Sequence, residues 1–345
     1  MRLLFELSGE HPVLPAAEAL AVALSISPNS KQMVSEPGVS VIDVPSLKTL
    51  SSANVYPFDR MAYSHTGQRH LFSCPPADIE TELSKAVEKG EFPDKGSVRI
   101  RVNAFGEKKG ASIKLALEKD LGGVLYPKHA IDLVKPDISI RILLSESAHC
   151  GVVLHEQEKR PLGDRKPAKR PFFSPISLAP KLARAMVNLA IVKAGSKILD
   201  PFCGTGGILL EAGLMGMHLV GSDLEWNMVE GCQKNLKHFG LNDFKVFRAD
   251  IGSVVPNLDS MDIDAVVTDA PYGRACGTRG EKVALIYERM FRTASQVLAP
   301  GKRLVLAIHD PALLKCGPDF REVQRIGVRV HRSLTRYLMV FERNS

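Results

Sequence analysis

Three short stretches in the second half of the chain carry residue types able to act together on a ligand. The first is Asp200-Pro201-Phe202-Cys203-Gly204-Thr205-Gly206-Gly207. Its glycines permit a tight turn and let backbone approach a ligand closely, and the free amides of a helix opening there favour an anionic group. The dinucleotide pattern GxGxxG is not matched, because the third glycine follows the second directly, and no Lys-Ser/Thr pair closes a phosphate loop. Alone, the turn reads equally as an empty strand-to-helix connection. The second is a pair of acids. Asp223 lies 23 residues after Asp200, where a strand-end carboxylate can hydrogen-bond two ribose hydroxyls. Asp250, in Arg248-Ala249-Asp250-Ile251, can accept from an adenine amino group. Each alone also reads as a solvated strand end or a cap, but with the glycine turn they are explained together by a bound adenosine moiety. The third stretch is Thr268-Asp269-Ala270-Pro271-Tyr272-Gly273. Here the Asp269 carboxylate and the Ala270 carbonyl, held by Pro271, can accept both hydrogens of an exocyclic amine while Tyr272 stacks on a base. The competing reading is a Pro-broken turn with a packed Tyr.

These stretches need strand ends to hold them. From residue 178 the pattern predicts a helix over 179–192, a strand at 197–200, a helix from about 207, strands at 218–223, 244–248, 264–269 and 303–308, and helices over 225–239 and 283–298. Apolar strands alternating with helices imply a doubly wound, mostly parallel sheet, with ligands at the carboxyl ends of its strands. Two strand-like runs at 321–331 and 335–342, with no helix between them, imply an antiparallel edge. Upstream, the period-two runs SVRIRVNA (97–104) and DISIRIL (137–143), with helical stretches at 78–89 and 111–121, predict a small α+β domain. The opening predicts a strand at Leu3–Leu7, a helix around Ala16–Leu24 and an apolar pair at Val41–Ile42. Residues 156–174, rich in Pro and Lys/Arg without periodicity, read as a linker. The expected division is therefore 1–50, 51–155, a basic linker 156–175, and 176–345.

Hydrophobic residues make up 45% and charged residues 24% of the 345, which excludes collagenous, low-complexity and disordered classes. The net charge of +7 is uneven: −2 over 1–50, +1 over 51–155, +3 over 156–180 and +5 over 181–345. A polyanion would therefore meet the second half, through the basic linker and the series Arg321, Arg325, Arg329, Arg332 and Arg336; charge runs of this kind also occur as plain solvated surface. Six scattered cysteines without CxxC spacing argue against a zinc site and for reduced thiols in a cytoplasmic protein. Neither a secretory signal nor an apolar run of membrane-spanning length is expected.

The glycine turn and the D-A-P-Y-G turn resemble the cofactor and amine motifs of class I S-adenosylmethionine-dependent methyltransferases acting on amino groups, with Ala270 standing where that family usually has Pro. In such enzymes a cofactor-covering motif comes first, as Arg170-Pro171-Phe172-Phe173-Ser174-Pro175 does here. IDLVKPDISIRI, around Lys135, resembles the signature of THUMP domains, RNA-binding modules of tRNA-modifying enzymes. FELSGEHPVLPAAEAL and HRSLTRYLMVFER resemble the archaeal and eukaryotic tRNA guanosine-10 N2-methyltransferases. The resemblance implies a Rossmann-like methyltransferase domain after an α+β, THUMP-containing region, S-adenosylmethionine as cofactor and tRNA as partner, the chain acting as a monomer. A small zinc-binding activating subunit, as in eukaryotic relatives, is a candidate partner. The implied cofactor residues are Phe173, Pro175, Asp200, Phe202, Gly204, Thr205, Gly206, Asp223, Leu224, Asp250 and Ile251. The implied catalytic residues are Asp269, Ala270, Pro271 and Tyr272, and the RNA contacts Lys135, Lys166, Lys169, Arg170 and Arg274. Methylation of guanosine 6 of tRNA, or of adenine N6, would use the same amine turn, and a non-catalytic tRNA-binding protein is the reading from a different class.

Overall fold

The alternating runs 97–104 and 137–143 form neighbouring parallel strands. In the computed structural model the described residues are 1–45, 57–92, 96–106, 111–126, 128–158, 160–174, 177–258, 262–271, 281–331 and 334–345. They form two units, Met1–Gln157 and Glu158–Ser345.

The first unit runs β1 (Arg2–Leu7), α1 (Leu14–Ile26), β2 (Lys31–Glu36), β3 (Val39–Asp43), β4 (Ser64–Cys74), α2 (Ile79–Glu88), β5 (Val98–Ala104), α3 (Ala111–Leu125), β6 (Ile138–Leu144) and β7 (Ala148–Glu156). Its strands make one sheet in the order β2-β3-β1-β4-β7-β6-β5, antiparallel except for β5–β6. Alternation puts Val98, Ile100 and Val102 into the core that holds Leu83 of α2 and Leu121 of α3. β1 is apolar on both faces: Leu3, Phe5 and Leu7 pack with Ala19, Val22 and Ala23 of α1, and Leu4 packs with Val39, Val41 and Leu143. Glu18, which interrupts the apolar run of α1, is fully buried and accepts from the Ala62 and Tyr63 amides at 2.9 and 2.8 Å, so its charge is met by donors rather than by water. Segments 1–50 and 51–155, read apart in the sequence, share this sheet through the direct pairing of β1 with β4.

The second unit runs α4 (Arg160–Asp164), α5 (Pro180–Leu189), β8 (Lys197–Asp200), α6 (Gly207–Leu214), β9 (His218–Asp223), α7 (Trp226–His238), β10 (Phe244–Arg248), β11 (Ile263–Asp269), α8 (Val283–Val297), β12 (Leu298–Ile308), β13 (Phe320–His331) and β14 (Leu334–Arg343). The sheet order is β10-β9-β8-β11-β12-β14-β13. The first five strands in that order are parallel, and β14 pairs antiparallel with both β12 and β13. Tyr287, Met290 and Phe291 of α8 cover one face, packing with Val266, Leu304, Leu306 and Phe341. The chain leaves β8 outward to β9 and β10, then returns on the other side of β8 as β11. A crevice opens outside the carboxyl ends of strands at such a reversal.

The stretch 156–175, expected as a basic linker, is partly packed into the second unit. Its described part contains α4, and Arg165 and Arg170 are buried. Arg165 donates to the Glu211 carboxylate at 2.7 and 3.0 Å, and Arg184 donates to it at 2.7 Å. Arg170 Nε donates to the Arg165 carbonyl at 3.0 Å. Buried guanidinium groups need such partners, and Glu211 lies on α6, far along the chain. The stretch is pinned by that helix.

Candidate active site

The crevice at the β8/β11 reversal gathers the acids singled out in the sequence. Asp200, Asp223, Asp250 and Asp269 line one cleft, with Phe202, Gly204, Thr205, Leu224, Ile251, Ala270 and Pro271. Gly204 and Gly206 take φ of +49° and +81°, the left-handed region open to glycine. A Cβ on Gly206 would also stand 2.7 Å from Cys232 Sγ. Gly206 thus shapes the turn from behind. Neither it nor Phe173, whose side chain is exposed, is among the described residues of the cleft wall.

The turn is braced from two sides. Asp223 Oδ2 accepts from the Gly204 amide and Oδ1 from the Glu225 amide, both at 2.9 Å. Burial raises the Asp223 carboxyl above its usual range while those amides oppose the rise. Asn235 of α7 donates to the Thr205 and Phe172 carbonyls at 2.9 Å and accepts from the Phe172 amide at 2.9 Å. One buried amide side chain therefore ties the strap before α5 to the glycine turn. Ser177 and Thr205 hydroxyls meet at 2.8 Å in the cleft wall.

At the floor, Asp200 Oδ1 accepts from Thr268 Oγ1 at 2.6 Å and from the Phe202 amide at 3.2 Å. Burial pushes its carboxyl up to about 7, with Asp269 and Asp223 adding to the rise. Asp269 ends β11 with its side chain 17% exposed, and Arg336 Nη2 lies 3.3 Å from Oδ2. Its other oxygen, Oδ1, is buried and has no hydrogen-bond partner among the described residues. Burial raises this carboxyl to about 7 as well, and the Arg336 charge works against that rise. The next residues are clamped: the Ala270 amide donates to the Ala307 carbonyl at 3.2 Å, the Ala270 side chain is fully buried, and Tyr287 Oη donates to the Pro271 carbonyl at 3.2 Å. Asp250 caps the turn Ile251–Ser253 by accepting from the Gly252 amide and pairs with Arg289, which also pairs with Glu281 at 2.8 Å.

Pro175, Tyr272 and Arg274, expected at the site, lie outside the described residues. Arg170, expected to contact RNA, is 5% exposed and faces the first turn of α6 rather than solvent, because its guanidinium packs among Arg165 and Glu211. Lys166 is exposed, and Lys169, also exposed, pairs with Asp164 at 2.7 Å. In the first unit, Lys135 is exposed in a turn whose amides donate to Asp132 at 2.8 and 3.0 Å. The C-terminal arginine series is not one surface patch. Arg321 pairs with Glu342, Arg325 pairs with Glu322, Arg336 is buried against Asp269, and Arg332 lies outside the described residues. The sequence analysis assigned no role to Arg289, Asn235 or Thr268. For Thr268 a signal existed: it precedes a strand-end Asp and so points to the opposite side of β11.

A reversed parallel sheet closed by an antiparallel hairpin, with a glycine turn and an acid at each successive strand end, defines a class I methyltransferase domain. A model of the UPF0020 family, described as an RMKL-like methyltransferase domain, matches residues 167–337. The chain is 38% identical over 350 aligned residues to a tRNA (guanine(10)-N2)-dimethyltransferase of Methanothermobacter thermautotrophicus, covering 99% of this chain and 100% of that protein. A namesake from Pyrococcus abyssi is 33% identical, over 84% of this chain and 87% of its own length. A tRNA (guanine(6)-N2)-methyltransferase of Thermus thermophilus is 32% identical over 65% of this chain and 66% of its own. Among solved structures, TrmN from Thermus thermophilus aligns with 99% of this chain and all of its own at a TM-score of 0.51 and 23% identity, a likeness of fold. The chain belongs to the tRNA (guanine(10)-N2)-dimethyltransferase family. Among the described residues, no helix is long and apolar enough to cross a membrane.

Proposed function

We propose that the protein transfers methyl groups from S-adenosylmethionine to the exocyclic N2 of guanosine 10 in tRNA. The observation that carries this reading is Asp269, which lines one cleft with the glycine turn and whose buried Oδ1 has no partner among the described residues. An acceptor left without a partner in a buried site asks for a donor from a ligand, and an exocyclic amine is such a donor. The cleft also fits the cofactor. The turn at Gly204 leaves room for close backbone approach, Asp223 stands at the end of β9 for ribose hydroxyls, and Asp250 and Ile251 stand beyond β10 for the adenine. When bound there, the sulfonium supplies an activated methyl group.

The chain's own residues then have three tasks. Asp269 and the Ala270 carbonyl hold the amine, whose lone pair is delocalised into the guanine ring, and positioning is the main contribution. The Asp269 carboxylate opposes the positive charge that develops on nitrogen and can accept the proton released. The clamped Ala270-Pro271 backbone keeps that geometry fixed. A guanine in a folded tRNA must flip out of its stack to reach this floor, and Tyr272 would supply the replacement stacking surface. The region 51–155, as the THUMP domain, would grip the tRNA, with Lys135 and Lys166 on phosphates. The similarity over the full length of the position-10 relative, against two thirds for the position-6 relative, favours position 10. The site of action is the cytoplasm.

The test is mass-spectrometric mapping of a tRNA transcript incubated with the purified protein and labelled cofactor, alone and with a candidate zinc-binding subunit. Label on N2 of guanosine 10 is expected, and the mass gain separates one methyl group from two. Label on guanosine 6 or on an adenosine overturns the reading. Asp269→Asn is expected to slow transfer by roughly 10²–10³-fold, the scale of losing one preorganised electrostatic contact, while cofactor affinity is retained.

A further inference from the structure

We propose that Arg336 is the positioning residue of this site, holding the Asp269 carboxylate by Oδ2 as a buried ion pair so that Oδ1 is presented unshared to the amine. The inference rests on the reading above for the identity of the amine, while the ion pair stands on geometry alone.

Arg336 sits on β14, the strand inserted between β12 and the edge strand β13. In the antiparallel register Leu338 faces Ala307 and Tyr337 faces Ile308, and Ala307 in turn is beside Asp269 of β11. Arg336 is the next residue along, at the carboxyl end of β12, and from there its guanidinium reaches the end of β11 at 3.3 Å from Oδ2. It is 8% exposed. A guanidinium is seldom buried at a strand end without a specific anion to meet, and in the sequence nothing near Arg336 supplies one. The anion is Asp269, one strand beyond its neighbour.

This placement does two things. It fixes one carboxylate oxygen, so the rotamer of a side chain that lines the cleft is held. It also sets the charge of the group. Among the described residues, the charged groups acting on Asp269 are Asp200 from β8 and Arg336 from β14, and His309, just beyond β12, lies near Arg336. Asp200 disfavours a second negative charge beside it. The imidazole of His309 is held below its usual range by burial and by the Arg336 charge. Among the described residues, Arg336 is the counter-charge of Asp269. With Arg336 present the Asp269 carboxyl titrates at about 7. Removing an adjacent opposite charge moves a carboxyl up by about 1–3 units. At pH 7 the ionised fraction would then fall from about one half to about one tenth or less, a loss of roughly 5-fold or more in the active form.

The experiment compares wild type with Arg336→Met, Arg336→Gln and Arg336→Lys. Two quantities are read from mildly acidic to mildly alkaline pH. One is the single-turnover rate of methyl transfer to tRNA. The other is the titration midpoint of Asp269 in the free, full-length protein, followed by carboxyl ¹³C resonance and assigned by its loss in Asp269→Asn. Both neutral variants are expected to raise the midpoint and the rate profile together by about 1–3 units, to lose at least about 5-fold in rate at pH 7, and to recover as pH rises. The Lys variant is expected to keep the midpoint near that of wild type. Two neutral variants are used so that one that fails to fold leaves the other to report. An unmoved midpoint in a folded neutral variant overturns the proposal, as does a rate loss that is equal at every pH. If the midpoint moves but wild type leaves guanosine N2 unmethylated, the ion-pair role is supported and the reading of the substrate fails.

Discussion

Glu211 offers the sharpest test of how the second unit is held together. Its carboxylate is fully buried on α6, the helix that opens from the glycine turn, and it receives three hydrogen bonds, two from Arg165 and one from Arg184. Both arginine side chains are 9% exposed. The Arg170 guanidinium lies close by, and its Nη atoms have no hydrogen-bond partner among the described residues. Glu211→Gln keeps the volume and removes the one negative charge among three guanidinium groups. Breaking a buried pair from one side costs about 3–5 kcal/mol, because the remaining charge is left without compensation. For a unit of this size each kcal/mol lowers Tm by about 2–4 °C, so a fall of roughly 6–20 °C is expected in scanning calorimetry of the full chain. The transition to follow is the one that a cofactor product analogue raises, since a ligand stabilises the unit that binds it. A loss below about 1 kcal/mol, the value of an exposed pair, would refute the reasoning. The triple change Glu211→Leu, Arg165→Met and Arg184→Met is expected to recover most of the stability, because apolar groups of similar volume replace buried ion triads well. If it unfolds the unit as badly as Glu211→Gln, packing rather than charge is what the cluster supplies.

Two further outcomes follow from the cleft. Asp223→Ala removes the acceptor for the Gly204 amide as well as the proposed ribose partner, so calorimetric affinity for S-adenosylmethionine is expected to fall by at least about tenfold; unchanged affinity would remove Asp223 from the site. Asp200 has a folded carboxyl at about 7, above its unfolded value of about 4. A raised pKa means the folded state holds the proton more tightly, so this group's contribution is full below about pH 4 and is lost as pH rises to about 7. The stability of wild type relative to Asp200→Asn is therefore expected to fall by about 2–3 kcal/mol between pH 5 and pH 8. Parallel Tm profiles for the two proteins would show that Asp200 is not buried as a carboxylic acid.

What the sequence made legible was local. Strands such as KILD and HLVGSD stand where their apolar runs place them, and each ends on the acid that lines the cleft. β4 escaped notice because its core-facing positions include Ser64, Thr66 and Gln68, all buried and polar, so no apolar alternation marks it. β2 escaped because it is a largely exposed edge. The arginines were misread for another reason. Arg165 and Arg336 look like solvated charge in their own neighbourhoods, and their carboxylates, Glu211 and Asp269, are supplied by strands and helices far along the chain. Pairing across such separations has no periodic signature in one sequence. The same limit hid Asn235, whose partners Phe172 and Thr205 meet it through the fold alone.

The closing hairpin places β14 inside the sheet and leaves β13 at its rim. Along β13, Phe320 and Ile326 are the described residues withdrawn from water, while charged Arg321, Glu322 and Arg325 are exposed together with the apolar Val323 and Val330. Along β14, Leu338, Met339, Val340 and Phe341 are all core, and Arg336 touches the site. Two strands adjacent in the chain therefore differ in what a substitution disturbs. Drift in β13 costs little beyond keeping its rim charged against unwanted strand pairing. Drift in β14 alters the core and the chemistry at once. A designer seeking a site for a surface label or an affinity handle on this domain would choose the former and leave the latter untouched.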